Sequence, residues 1–169
     1  MASSNLEIRR TEKEQWRQLA AGGRLYAIVE TCHQKGVREK AREVGPSRAM
    51  SLFQGTYEAQ YENAAPFFFH TDEATFDWIA ASFWSRPWGI LIWSDAAFDP
   101  LRTHFHKFLR VKGVNQTEYL LRFYDPNILG PFLKSCNDAE LAEFFGPVSA
   151  FGANEGEAVG FYRMTPPPK

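Results

Sequence analysis

Trp88-Gly89-Ile90-Leu91-Ile92-Trp93-Ser94-Asp95 opens the stretch that decides the fold, and Glu118-Tyr119-Leu120-Leu121-Arg122-Phe123-Tyr124-Asp125-Pro126 closes it. The first segment is a near-continuous apolar run. Such a run suits a strand covered on both faces, as in a parallel sheet. An amphipathic helix follows Ser94-Asp95, and the closing segment is again apolar and aromatic. Two buried strands flanking one helix make a βαβ unit. The expectation is an α/β single-domain sandwich with a mixed, largely parallel central sheet flanked by helices.

Working outward, Thr11-Glu12-Lys13-Glu14 fits a capping box with Thr11 as N-cap, and Gly22-Gly23 stops the helix it starts. Arg24 to Glu30 reads as a first strand. Val37, Ala41 and Val44 are spaced for one weak helix that Gly45-Pro46 ends. Gly55, in Ser51-Leu52-Phe53-Gln54-Gly55, marks a close backbone approach or a positive φ. Ala65 to His70 is a strand candidate with Pro66 at its start, and Thr71-Asp72 caps a helix that runs through Trp84. Ser85-Arg86-Pro87 breaks that helix. A short helix interrupted by Gly130-Pro131 is expected near Ile128–Leu133. Asn137 and Glu140 form a second capping box. A last strand covers Ala158–Arg163. The layout is one domain over 1–169: an N-terminal helix within 1–23, an α/β core over 24–163 and a loose Pro-rich tail over 164–169.

The composition excludes several classes. A net charge of −1 makes no whole-chain case for nucleic acid or an anionic membrane surface. Cys32 and Cys136 have neither metal nor Cys-x-x-Cys spacing, so a reducing, cytoplasmic setting is expected. Met1 to Glu7 does not read as a signal peptide, and no run approaches a membrane span. The 15 Phe, 6 Tyr and 5 Trp leave two readings open: an aromatic core, or an exposed patch that a partner covers.

No phosphate-binding glycine loop and no Gly-x-Ser-x-Gly elbow occurs. The nearest thing to a catalytic set is Asp95, Asp99, His104 and His106 with Arg122 and Asp125. On a helix the two histidines point roughly 200° apart, which is poor geometry for one metal ion. Leu101, Phe105, Phe108 and Leu109 form the apolar stripe of the helix expected over Asp99–Arg110. Arg102, His106 and Arg110 line the other side, with Lys107 beside them. Those four residues are either a solvated face or a basic ridge that meets an acidic partner. Charge reversal at Arg102 and Arg110 is expected to leave the fold intact. Trp84 and Trp88, flanking the Ser85–Pro87 break, are the candidate aromatic anchors and are expected to be partly exposed. Arg122 and Asp125 could line a ligand edge. A structural ion pair between them is preferred, because no nucleophile or phosphate loop accompanies them.

Seven segments in order resemble one family. They are Arg24-Leu25-Tyr26-Ala27-Ile28-Val29; Ser51-Leu52-Phe53-Gln54-Gly55; Ala65-Pro66-Phe67; Trp88-Gly89-Ile90 with Ser94; Leu101-Arg102-Thr103-His104-Phe105-His106-Lys107-Phe108-Leu109; Arg122-Phe123-Tyr124-Asp125-Pro126; and Phe144-Phe145-Gly146-Pro147. Together they resemble the adaptor (chaperone) domain of bacterial type VI secretion systems. The resemblance implies a cytoplasmic, non-enzymatic protein of a Gram-negative bacterium. Such a protein binds a toxic effector and helps load it onto the VgrG spike protein. It implies Arg122, Tyr124, Asp125, Gly55 and Gly89 as structural motif residues, and no catalytic residue, cofactor, metal or small-molecule substrate. Many members continue into a variable C-terminal lobe, whereas this sequence stops at Lys169. The alternatives are a hydrolase or nuclease using Asp95, His104 and Asp125, or a structural subunit of a larger assembly.

Overall fold

The computed structural model describes residues 5–165, the Tyr57 side chain excepted. In chain order the elements are β1 (Leu6–Glu12), α1 (Lys13–Ala21), β2 (Leu25–Val29), α2 (Val37–Val44), β3 (Ala49–Ser51), β4 (Phe67–His70), α3 (Glu73–Phe83), β5 (Gly89–Ser94), α4 (Phe98–His106), β6 (Arg110–Lys112), β7 (Glu118–Leu120), α5 (Pro126–Ser135), α6 (Asp138–Phe145), β8 (Val148–Glu155) and β9 (Ala158–Met164). A 3-10 segment, Tyr57–Ala64, leads into β4.

Seven strands form one sheet in the order β1-β9-β8-β5-β2-β4-β3. Every neighbouring pair is antiparallel. The expectation of a largely parallel sheet is therefore wrong, and the reason is topological. β4 and β5 are joined by α3 and run in the same direction, as a βαβ pattern suggests. They do not pair, because β2 lies between them and runs the other way. β2 and β3, joined by α2, are separated by β4 in the same manner. Each of these two helices joins strands that an antiparallel strand separates in the sheet.

The apolar run of β5 reports burial on both faces, not strand direction. Tyr26, Ile28, Ile90 and Ile92 face a core shared with Leu101 and Phe105 of α4, Leu129 and Leu133 of α5, and Leu141 and Phe144 of α6. Leu25, Ala27, Val29 and Leu91 face a second core with Trp16 of α1, Val37 and Ala41 of α2, and Phe76 and Ile79 of α3. The result is three layers, with helices on both faces of an antiparallel sheet. Most aromatics are in these cores, in networks such as Phe105–Phe123 and Phe144–Phe151, with ring centroids 5.5 and 5.1 Å apart.

The closing segment of the opening stretch also departs from expectation. Only Glu118–Leu120 is strand, and it pairs with β6 in a separate two-stranded hairpin. Phe123 and Tyr124 are buried as a turn beneath α5 and α6. At the N-terminus a strand precedes the helix. Thr11 belongs to β1, where its hydroxyl donates to Val159 O at 2.8 Å and accepts from Trp16 Nε1 at 2.8 Å. The helix cap falls on Glu12, whose N–H donates to the Gln15 side chain at 2.9 Å. Strand β8 carries no expectation at all, although it pairs with two neighbours. Gly130-Pro131 does not interrupt α5.

The caps read from the sequence at Asp72 and Asn137 are present, with Thr75 N and Glu140 N donating at 2.8 and 2.9 Å. Of the tail expected over 164–169, residues 166–169 lie outside the described residues, as do Met1–Ser4. Among the described residues no helix is long and apolar enough to cross a membrane.

Candidate protein-interaction surface

Helix α4 ends at His106 rather than at Arg110, so the four basic residues do not form one helical row. Arg102 lies beside the turn that follows β3. Its Nη1 donates to Gln54 O at 3.3 Å, and the next residue, Gly55, has φ +82°. His106 is half-buried nearby. Burial lowers its pKa below the ordinary 6.5, Arg102 adds to the effect, and the Leu52 backbone and Glu58 oppose it. Lys107, just past the helix, is exposed. Arg110 belongs to β6 and is engaged from two sides. Its Nε is 3.0 Å from the buried Glu58 carboxylate, and its Nη1 is 3.1 Å from Glu118. Arg110 is thus tied to two carboxylates, and the expectation of a free basic side chain in a helical row does not hold for it.

Trp84 and Trp88 are not exposed anchors. They are 4% and 0% exposed and lie 5.8 Å apart in the second core. Trp84 Nε1 donates to Gly156 O at 3.0 Å. The break at Ser85–Pro87 misled the reading, because the chain turns inward on both sides of it. The exposed apolar residues are elsewhere. Among the large hydrophobic side chains left in solvent, Val111, Val114, Tyr119 and Leu120 belong to the β6–β7 hairpin, and Tyr61 stands opposite them. Val114 at the tip is 89% exposed and Tyr119 57%.

The hairpin has its own local logic. Arg110 pairs with Leu120, Val111 with Tyr119 and Lys112 with Glu118. Gly113 N donates to Thr117 O at 2.8 Å, and Asn115 and Gln116 both hold positive φ, 70° and 63°. Two successive non-glycine residues in that region make a tip held by its own hydrogen bonds at some cost in backbone strain. Between the hairpin and the 3-10 segment lies a groove of about 440 Å³, lined by Phe53, Tyr61, Tyr119 and Leu120 with the Glu58–Arg110 pair. Half-buried Arg102 reaches Gln54 O, next in the chain to groove-lining Phe53, while Lys107 and Lys112 are exposed. The groove is thus mainly apolar, and its charged lining is Glu58, Arg110 and Glu118.

The residues of the alternative catalytic reading have separate partners. Asp95 is exposed, 3.4 Å from Arg24. His104 is buried, and its Nε2 lies 2.7 Å from Phe144 O, which can only accept, so Nε2 carries the proton. Asp125 caps α5 by accepting from Asn127 N at 2.8 Å. His104 and His106 reach opposite sides of α4, toward α6 and toward Leu52, as their spacing suggested. Among the described residues no three His, Cys, Asp or Glu side chains are grouped as a metal ion would require.

Arg122 does not pair with Asp125. Its guanidinium lies 3.1 Å from the carboxylate of Glu30 and 5.9 Å from the Tyr124 ring centroid. Tyr124 is buried, and desolvation pushes its pKa up to about 12 against the pull of Arg122. Gly89 is a packing requirement. A Cβ there would fall 1.9 Å from Ile28 O, in the adjacent central strand. The hairpin surface was missed in the sequence because Tyr119 and Leu120 read as part of a buried strand.

A family model described as "Domain of unknown function (DUF4123)" matches residues 25–143. No curated protein and no solved structure matches the chain.

Proposed function

The chain belongs to the family described as a domain of unknown function, DUF4123, and from that premise we propose that it is a non-enzymatic adaptor. It binds a type VI secretion effector in the cytoplasm of a Gram-negative bacterium and helps load that effector onto the VgrG spike protein. The seven motif segments support this reading, and six of them lie wholly or almost wholly within the matched residues. The observation that carries it is the β6–β7 hairpin. Monomeric proteins seldom leave several large apolar side chains together in solvent unless a partner covers them. Here Val114, Tyr119, Leu120 and Tyr61 do so, and the last three line a groove.

An adaptor must hold its cargo and later release it. A moderate interface with a few aromatic anchors and a charged rim suits that task. The hairpin supplies Tyr119, the groove and, at exposed Lys112, a basic charge. An acidic, apolar segment on the effector is the complement. Co-purification with the effector and spike encoded beside this gene tests the proposal. Wild-type protein is expected to retain the effector, and Val114→Asp with Tyr119→Asp to lose it while keeping its melting temperature. Retention of the effector by that variant moves the contact elsewhere. Failure of the wild type to bind either protein, or effector-independent hydrolysis that depends on Asp95, overturns the adaptor reading.

A further inference from the structure

The two edges of the seven-stranded sheet are built differently. β3, at one edge, is three residues long. β1, at the other, is seven residues long and pairs with β9 along its whole length without a register shift. Natural sheets blunt an open edge with a short strand, a proline, a bulge or charge. β1 has only the last of these, as Glu7, Arg9, Arg10 and Glu12.

The outer side of β1 follows from its inner side. Thr165 N donates to Asn5 O at 2.7 Å, and these two residues continue the β1–β9 register by one step. Hydrogen-bonded pairs alternate along an antiparallel ladder. Glu7, Arg9 and Thr11 therefore bond to β9, and the N–H and C=O groups of Leu6, Ile8 and Arg10 point away from it. Glu12 obeys the same order, since its N–H is turned from β9 and donates to Gln15. Among the described residues no strand pairs with this outer side. Ile8, in the middle of the row, is 47% exposed.

A row of outward main-chain groups is satisfied by another strand, and the order of side chains in β1 selects which one. A second β1 can lie antiparallel to the first across a two-fold axis normal to the sheet. With the axis at Ile8, the two Ile8 side chains meet, and Glu7 of each copy faces Arg9 of the other. The aliphatic stem of Arg10 then covers Leu6 of the other copy. With the axis at Glu7, Arg9 or Arg10, a like charge stands directly opposite itself, which destabilises the pair. An axis nearer either end shortens the ladder. Within one chain Arg9 Nε already lies 3.1 Å from Glu7 Oε1, so the second copy turns one ion pair into a cluster of four alternating charges. We infer that the chain forms a two-fold dimer by antiparallel pairing of β1 with β1 of a second copy, centred on Ile8. The two seven-stranded sheets become one continuous sheet.

This contact uses no hairpin residue and no effector, so its test stands apart from the adaptor reading. Sedimentation velocity of the full chain over a dilution series is the first measurement. The mass is expected to rise reversibly with concentration from that of one chain towards that of two. Ile8→Lys sets two cations face to face at the axis and should weaken dimerisation at least about tenfold. Its melting temperature should stay the same under dilute conditions, because that side chain is exposed in the single chain. Arg9→Glu, which faces Glu7 of the other copy, should weaken dimerisation likewise and serves if Ile8→Lys does not fold. In a Cys32→Ser background, Ile8→Cys should form an interchain disulfide on mild oxidation, and Arg10→Cys should not. A single-chain mass throughout the series, undiminished dimers of the folded Ile8→Lys and Arg9→Glu variants, or cross-linking through Arg10→Cys but not Ile8→Cys overturns the inference.

Discussion

The guanidinium of Arg122 lies 3.1 Å from the carboxylate of Glu30, which is buried at the end of β2. Arg122 comes from the far side of the chain, after the hairpin, so the pair fastens the Arg122–Asp125 turn to the central sheet. Removing one partner of such a pair leaves a buried charge behind.

Arg122→Ala is therefore expected to cost about 2–3 kcal/mol, at or below the lower end of the range for a buried pair because Arg122 is itself partly open to solvent. Adding Glu30→Gln to Arg122→Ala should restore part of the loss, since the stranded charge is then gone. Chemical denaturation of both variants checks this. A double variant no more stable than Arg122→Ala would show that Glu30 is not the stranded group.

Gly89 and Gly55 give a contrasting pair. At Gly89 a Cβ would meet Ile28 O at 1.9 Å, and that oxygen is main chain in a central strand, which cannot move aside. Gly89→Ala is expected to cost more than about 3 kcal/mol. At Gly55 φ is +82° but the space is open, so Gly55→Ala should cost only about 1 kcal/mol. Melting temperatures of the two variants, measured side by side, decide the order.

Stability should fall on mild acidification. Burial lowers the pKa of His104 below the ordinary 6.5, Lys107 adds to the effect, and the Phe144 carbonyl opposes it. His106 is lowered as well. Both are therefore neutral in the fold at pH values where the unfolded chain already takes up protons. The unfolded state then binds more protons, so stability is full above the unfolded value and is lost as pH falls through it. Urea midpoints should drop between about pH 7.5 and about pH 5.5, a window set by ordinary histidine titration. His104→Leu should lower the midpoint throughout but flatten the slope. An unchanged slope would place the proton uptake elsewhere.

Arg102 and Lys107, the two basic residues of the α4 end, should act on rate before affinity. Arg102→Glu with Lys107→Glu should slow association with an acidic partner and flatten its salt dependence while leaving the melting temperature nearly unchanged. Arg110→Glu is expected to behave differently. It would set a third carboxylate against Glu58 and Glu118, which lie 3.0 and 3.1 Å from the present guanidinium. Its melting temperature should drop, and any binding defect would then be indirect. Stopped-flow association at low and high salt, paired with thermal melts, separates the two classes.

Much of the local structure was legible in the sequence. The caps at Asp72 and Asn137, the strand read over Arg24–Glu30 and observed over Leu25–Val29, and the weak helix over Val37–Val44 depend on neighbours within a few residues. Their physics is short-range, so the sequence carries it whole. The opposite directions of His104 and His106 follow from helical periodicity in the same way.

What lay outside the sequence's reach depends on distant pairings. An apolar run such as Ile90-Leu91-Ile92 states that both faces are covered. It does not state which strand lies alongside, so a parallel sheet and an antiparallel sheet roofed by helices read alike. Trp84 and Trp88 read as exposed at a chain break, and Tyr119 and Leu120 read as buried in a strand, yet the fold reverses both. Burial is decided by what the rest of the chain lays over a residue, and a one-dimensional pattern does not carry that. The pairing of Arg122 with Glu30 rather than Asp125 has the same origin. Sequence determined several elements, the caps at Asp72 and Asn137 and the two-sided burial of β5; only the tertiary structure decided strand partners, ion-pair partners and which aromatic residues face water, because those are settled by contacts between segments far apart in the chain.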